Sequence, residues 1–275
     1  MTLRDAIANA AARLKETSDT PRLDAELLAA HALGIPRETL LLGRRDHVAP
    51  PLFDGLIARR ADGEPVAYIL GERDFWTITL RVAPGVLIPR PDSETLIEAA
   101  VQHFGERSPA SILDLGTGSG ALLLAALHQW PRAKGVGVDR SEIAVEIAQA
   151  NALRLGLGDR SRIILGDWAD GLDTRFDLML CNPPYIEASA KLPRDVADYE
   201  PANALYAGPD GLDAYRRIIP EVSRLLSPGG IALFEIGATQ GGAVSELAIS
   251  AGHAPRTLQD LAGCDRCVVI DGPVI

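Results

Sequence analysis

Apolar residues recur at helical spacing through roughly the first seventy positions, then at every second position over a short stretch near residue 78. Leu3, Ile7, Ala10, Ala11 and Leu14 fall on one face of a predicted helix. Thr20-Pro21 supplies an N-cap and a first-turn proline for a second helix. Leu23, Leu27, Leu28 and Ala30 carry that helix, and Gly34-Ile35-Pro36 stops it. Thr39 to Leu42 and Pro50 to Arg60 read as third and fourth helical pieces. No reactive constellation stands out, so residues 1–72 are expected to form a small helical module.

Trp76 to Val82 alternates with a period of two and is rich in β-formers, and Pro84-Gly85 offers a turn. A β-hairpin linker over residues 73–88 is the expectation. Beyond Pro91 the pattern alternates. Helices are predicted over 93–104, 121–128, 141–155, 211–226 and 240–251. Strands are predicted over 111–115, 135–138, 162–165, 176–181, 231–236 and 267–270. Such alternation implies an α/β domain over 89–275, a mostly parallel sheet with helices on both faces.

The strand ending at Cys181 runs into Asn182-Pro183-Pro184-Tyr185, where two prolines forbid further ladder pairing. Polar groups at the carboxyl end of an open α/β sheet are placed where ligands bind. The Asn182 carboxamide and nearby backbone carbonyls could grip both hydrogens of a planar NH2 group, with Tyr185 as a flat wall. An ordinary proline-rich turn is the competing reading.

A second motif, Asp114-Leu115-Gly116-Thr117-Gly118-Ser119-Gly120, turns from strand to helix through three glycines. With Ala121 it also satisfies the dinucleotide fingerprint, and Asp139 lies near the distance expected of a ribose ligand. Asp139 could equally cap the helix that follows it. Asp114 would repel a pyrophosphate but suits a ligand bearing an ammonium or sulfonium, although a turn-capping role is also open to it. Asp167-Trp168 after the next strand could receive an adenine amine and cover its ring; a Trp at the sheet rim is the plainer alternative.

Composition narrows the class further. With 47% hydrophobic and 23% charged residues the chain has an ordinary globular balance. The sequence holds no apolar run long enough to span a membrane and no secretory start, so a cytoplasmic protein is expected. Three cysteines, Cys181, Cys264 and Cys267, make no disulfide framework, and one CxxC without partners makes no zinc site. His31, His47, His103, His128 and His253 are scattered, so no metal is expected. The net charge of −10 counts against a nucleic-acid substrate. Residues 1–70 carry nine Lys and Arg against ten Asp and Glu, so most of that charge lies beyond them. Arg44-Arg45 and Arg59-Arg60 are the only local basic pairs of note there, and read as solvated faces.

Taken in order, the glycine turn, Asp139, Asp167-Trp168 and Asn182-Pro183-Pro184-Tyr185 resemble a Rossmann-like class I S-adenosylmethionine-dependent methyltransferase of the amino-methylating group. Further stretches are similar to one family within it. They are Gly63 to Gly71, Phe75-Trp76, Leu87 to Glu94, Tyr199-Glu200-Pro201, Gly211-Leu212 with Tyr215, Glu235-Ile236-Gly237, and Asp260 to Gly263 with Asp265-Arg266. That family is the protein-(glutamine-N5) methyltransferases of peptide chain release factors, PrmC or HemK; Ser93 stands where a Thr is expected.

The resemblance spans nearly the whole chain and implies a seven-stranded sheet. It implies S-adenosyl-L-methionine as cofactor, S-adenosyl-L-homocysteine as product, and a cofactor pocket of Asp114, Gly116, Thr117, Gly118, Ser119, Gly120, Asp139, Asp167, Trp168 and Asn182. Asn182, Pro183, Pro184 and Tyr185 are assigned to the reacting glutamine, and Pro89 and Arg90 to the substrate entrance. The implied substrate is the Gly-Gly-Gln glutamine of class I release factors, with the helical module docking the substrate protein and a monomer as the default state. Rival readings are an adenine-N6 nucleic-acid methyltransferase, a nicotinamide-dependent oxidoreductase, and a cofactor-binding adaptor without catalysis.

Overall fold

Helical periodicity in the first part of the chain is realised as α1 (Leu3–Arg13), α2 (Pro21–Leu33), α3 (Arg37–Leu42), α4 (Pro51–Ala61) and α5 (Val66–Leu70) in the computed structural model. The structure describes residues 2–43 and 48–273; the Arg44-Arg45 pair and His47 lie outside the described residues. Thr2 caps α1 by accepting the Asp5 amide at 3.2 Å. Pro21 opens α2, while Gly34, at φ 65°, closes it in the left-handed conformation. Leu3, Ile7, Leu14, Leu28, Phe53 and Ile57 pack the core of this unit. The unit comprises Met1–Glu72 together with Leu192–Tyr199, a later segment that contains α9 (Arg194–Ala197). Arg60 holds the two parts together: buried, it pairs with Asp24 of α2 at 2.8 Å and with Asp195 at 3.5 Å.

The second unit, Arg73–Lys191 with Glu200–Ile275, carries the sheet. It begins with a hairpin of β1 (Glu72–Phe75) and β2 (Ile78–Arg81). The expected turn at Pro84-Gly85 is not the hairpin turn; Trp76-Thr77 is. Trp76 takes φ 55°, a conformation unusual outside glycine, and its amide donates to Glu94 Oε1 at 2.8 Å. Tertiary bonding therefore fixes a turn that local composition did not announce. Phe75, Ile78 and Leu80 are buried in the core of the sheet unit, so the hairpin is packed along its length.

The strands β3 (Ser111–Leu115), β4 (Lys134–Asp139), β5 (Ser161–Leu165), β6 (Phe176–Cys181), β7 (Leu226–Glu235), β8 (Pro255–Gln259) and β9 (Asp265–Asp271) form one seven-stranded sheet ordered β5-β4-β3-β6-β7-β9-β8. The pairs from β5 through β7 are parallel, and β9 runs antiparallel to both its neighbours. Alternate residues serve two cores. Ile112, Leu178, Leu180, Ile231 and Val269 face one layer with α6 (Glu94–Phe104) and α7 (Ala121–Gln129). Leu113, Met179, Cys181, Phe234 and Val268 face the other with α10 (Asp213–Ile218) and α12 (Gly241–Ser250). Burial on both faces explains the unbroken apolar runs of the central strands. α8 (Glu142–Arg154) packs beside β4 and β5.

Two further features depart from the sequence reading. The single helix expected over 211–226 is divided at Pro220 into α10, a 3-10 turn at Ile219–Glu221 and α11 (Val222–Leu225), because proline cannot donate to a continuing helix. Strand β8 was not located in the sequence; it is an edge strand that opens with proline and carries Arg256 and Gln259, a pattern too polar to stand out.

Candidate active site

From β3 the chain works outward through β4 and β5, then crosses back to place β6 on the other side of β3. At this switch the carboxyl ends of neighbouring strands diverge and leave a crevice. A cleft enclosing about 940 Å³ of space, its mouth included, lies there. Asp114, Gly116 to Ser119, Asp139, Asp167, Trp168, Asn182 and Pro184 all line it, joined by Pro89 and Ser93. Sequence positions from 89 to 184 thus meet at one place because four adjacent parallel strands end there.

The glycine turn is built for close approach. Gly116, Gly118 and Gly120 have φ of 73°, 55° and 86°. The amides of Gly116 and Thr117 both donate to the Val138 carbonyl, at 2.9 and 3.0 Å, tying the turn to β4. A Cβ on Gly116 would stand 3.3 Å from the Trp168 ring, so ring and turn form one wall. Trp168 itself takes φ 53°. Gly120 caps α7, and a Cβ there would meet the side chains of Leu124 and Ala148.

The acidic residues differ in what they have left to offer. Asp139 Oδ2 accepts the Gly118 amide and Oδ1 the Ser141 amide, both at 2.9 Å, which fixes the carboxylate while each oxygen keeps a lone pair. Asp114 Oδ2 accepts from Thr117 Oγ1 at 2.7 Å and from the Leu123 amide at 3.2 Å. Its Oδ1 is buried with no hydrogen-bond partner. Burial pushes the Asp114 carboxyl from 3.8 up to about 7, against the lowering effect of those two bonds. Asp167 lines the cleft, yet its Oδ2 is ion-paired with Arg217 at 2.9 Å on the exposed side.

Asn182 follows Cys181, which pairs with Leu115 on one side and Phe234 on the other. It therefore sits between the glycine turn and Glu235. Asn182 Nδ2 donates to Ser93 Oγ at 3.1 Å, leaving Oδ1 as the free acceptor of the carboxamide. Pro183 is buried, and its carbonyl accepts no hydrogen bond among the described residues. Tyr185 is largely buried, with its hydroxyl donating to Glu235 Oε1 at 3.3 Å and its carbonyl held by Gln240 Nε2 at 2.9 Å. Burial first, then the Glu235 charge, raise the Tyr185 pKa, so the phenol stays neutral. Arg90 is paired with buried Glu200 at 2.5 Å, and the other Glu200 oxygen accepts the Ile88 amide at 3.0 Å.

Residues 5–71 match the family model of the PrmC N-terminal domain, and residues 106–253 that of a methyltransferase domain. The release factor glutamine methyltransferase of Caulobacter vibrioides is 41% identical over 277 residues, covering 98% of this chain and 96% of its own. That of Moorella thermoacetica is 42% identical over 276 residues, covering 97% of each. The chain belongs to the release factor glutamine methyltransferase family. Two solved structures share the sheet fold alone. One is the T. thermophilus 16S rRNA methyltransferase RsmC in complex with AdoMet and guanosine, with TM-score 0.53, 22% identity, and 73% of this chain and 49% of that one covered. The other is a methyltransferase from Pyrococcus furiosus, with TM-score 0.53, 17% identity, and 71% and 89% covered.

The cleft of this family member fits S-adenosylmethionine. Asp114 Oδ1 is buried and unpartnered in a carboxyl that desolvation raises to about 7, and a cationic ligand beside it would favour its charged form. No group of His, Cys, Asp and Glu among the described residues could hold a metal ion. Cys267 is buried at the start of β9, and Cys264 is exposed. The motifs Tyr199-Glu200-Pro201 and Glu235-Ile236-Gly237 carry family resemblance but announce no role for either glutamate. Their signal was a charged residue beside apolar strand ends or prolines, which says nothing of a partner until the strands are aligned.

Proposed function

We infer that the protein transfers the methyl group of S-adenosylmethionine to the side-chain amide nitrogen N5 of the Gly-Gly-Gln glutamine in class I peptide chain release factors, supporting translation termination. The observation that carries this reading is the Asn182 carboxamide, with its NH2 turned to Ser93 through one N–H and its oxygen left to accept. An amide nitrogen is a poor nucleophile because its lone pair is delocalised into the carbonyl. Asn182 Oδ1 and the Pro183 carbonyl each accept one N–H of the glutamine amide, which draws charge back towards nitrogen and orients it. Such positioning can supply on the order of 7–11 kcal/mol of the barrier.

S-adenosylmethionine, when bound, supplies an electrophilic methyl on a sulfonium and would leave as S-adenosylhomocysteine, so no strong base is required and the displaced amide proton passes to water. Asp114 faces its cationic end, Asp139 receives ribose hydroxyls, and Trp168 with the glycine turn from Gly116 to Gly120 encloses it. Asp167 stands at the adenine end, where its pairing with Arg217 leaves one oxygen for an amine. Pro184 and Tyr185 wall the glutamine, and Pro89 and Arg90 shape the entrance.

The helical unit serves as the docking surface for the substrate protein, and the enzyme works as a cytoplasmic monomer that takes no nucleic acid directly. The acidic charge of −10 supports the last point. No helix among the described residues is long and apolar enough to cross a membrane. Incubation with labelled S-adenosylmethionine and a purified release factor, followed by peptide mapping, tests the reading. Label on the Gly-Gly-Gln glutamine is expected. Label absent, or found on another residue or on nucleic acid, would overturn it.

A further inference from the structure

Glu235 ends β7 at 1% exposure, next to the strand end that carries Asn182. Its Oε1 accepts the Tyr185 hydroxyl at 3.3 Å, and its Oε2 is buried with no hydrogen-bond partner. Ser93, 3% exposed, faces this carboxylate and at the same time accepts Asn182 Nδ2 at 3.1 Å. Ser93 ends the 3-10 turn Pro91–Ser93. Arg266 braces that turn, with its guanidinium 3.2 Å from Asp92 and 3.1 Å from Asp260.

A serine hydroxyl has one proton to give. With Asn182 donating to Ser93 Oγ, that proton is left for the neighbouring Glu235 carboxyl, where Ser93 opposes the larger effect of burial on the Glu235 pKa. Were the Asn182 carboxamide flipped, its oxygen and Glu235 would compete for the same proton, and an NH2 group would face the ligand instead of an acceptor. We propose that Glu235 and Ser93 are positioning residues that lock the Asn182 carboxamide with its oxygen towards the substrate amide, and that the same carboxylate anchors the Tyr185 wall. This proposal rests on the glutamine-methylating reading of the site. It assigns a catalytic consequence to two residues outside the Asn182–Tyr185 motif.

Steady-state methylation of a release factor by wild type, Ser93→Ala, Ser93→Thr, Glu235→Gln and the Ser93→Ala/Glu235→Gln double variant tests it. Cofactor affinity and thermal unfolding are measured on each protein. Glu235→Gln keeps the shape but presents an NH2 to Ser93, which reverses the hydrogen bond. The expected result is a kcat loss of about tenfold or more in Ser93→Ala and Glu235→Gln, with KM and cofactor Kd within about twofold. Ser93→Thr keeps the hydroxyl and stays near wild type. The double variant loses no more than the worse single one, since both act through Asn182. Wild-type kcat in Ser93→Ala and Glu235→Gln overturns the proposal, as does a multiplicative loss in the double variant. A wild-type enzyme that leaves the release factor unmethylated instead overturns the functional reading, and that control separates the two failures.

Discussion

At the scale of single residues the site turns on which hydrogen-bonding atoms remain unspent. Asn182 has given one N–H to Ser93, and the Asn182 oxygen remains. Asn182→Ala is expected to lower kcat by about 100-fold or more, the size seen when one preorganised polar group is removed from a reacting centre. Cofactor Kd, read by calorimetry, should stay within about twofold, because Asp114 and Asp139 are untouched. Comparable kcat in the two proteins would defeat the mechanism. Tyr185→Ala should act differently, raising KM for the release factor several-fold by removing a wall, and an unchanged KM would end that role. Asn182 was legible in the sequence because two prolines after a strand strand its polar groups. Ser93 was not, since it lies 89 positions earlier and reaches Asn182 only when the turn before α6 closes over β6.

Strand and turn geometry sets the next scale. Asp114 sits inside β3 rather than on a loop, and its burial raises its pKa from 3.8 to about 7. The folded state therefore holds a proton that the unfolded state has lost between these values, so Asp114 costs stability as pH rises through that window. Glu235, raised from 4.5 to about 7, has the same sign. Ligand-free Asp114→Asn should consequently melt higher than wild type at pH 8 and show a weaker fall in Tm from pH 5 to 8, Glu235 supplying what slope remains. Cofactor affinity should rise with pH through about 7 in wild type and lose this dependence in Asp114→Asn; a flat wild-type profile would contradict the role. Gly120→Ala places a Cβ 2.9 Å from Leu124 Cδ1 at φ 86°, and should cost about 1–3 kcal/mol in denaturant unfolding. Periodicity revealed the central strands because both faces are buried. It missed β8, whose edge position tolerates polar residues, and misplaced the hairpin turn, which a hydrogen bond from the Trp76 amide to Glu94 decides.

Over the whole molecule, the alternation of helix and strand announced the sheet but not its order, since strand neighbours depend on crossovers that no local pattern records. The helical unit likewise recruits Leu192–Tyr199 through Arg60, a partnership separated in sequence by more than a domain's worth of chain. That recruitment means deleting the first helices would strip Asp195 and Tyr199 of their partners, so a surface substitution is the cleaner test of docking. The unit exposes large apolar side chains at Leu42, Val48 and Leu52, which are 90%, 79% and 55% exposed. Large apolar side chains left exposed within one short stretch of chain are candidates for contact with another protein. If the surface receives the release factor, its contribution is to recruit the whole protein, not to hold the glutamine. Leu42→Asp should then raise KM for an intact release factor by about tenfold, a loss of roughly 1.4 kcal/mol. It should leave kcat unchanged, along with KM for a short Gly-Gly-Gln peptide too small to reach this surface. Equal shifts for protein and peptide, or no shift for either, would remove these leucines from substrate recognition.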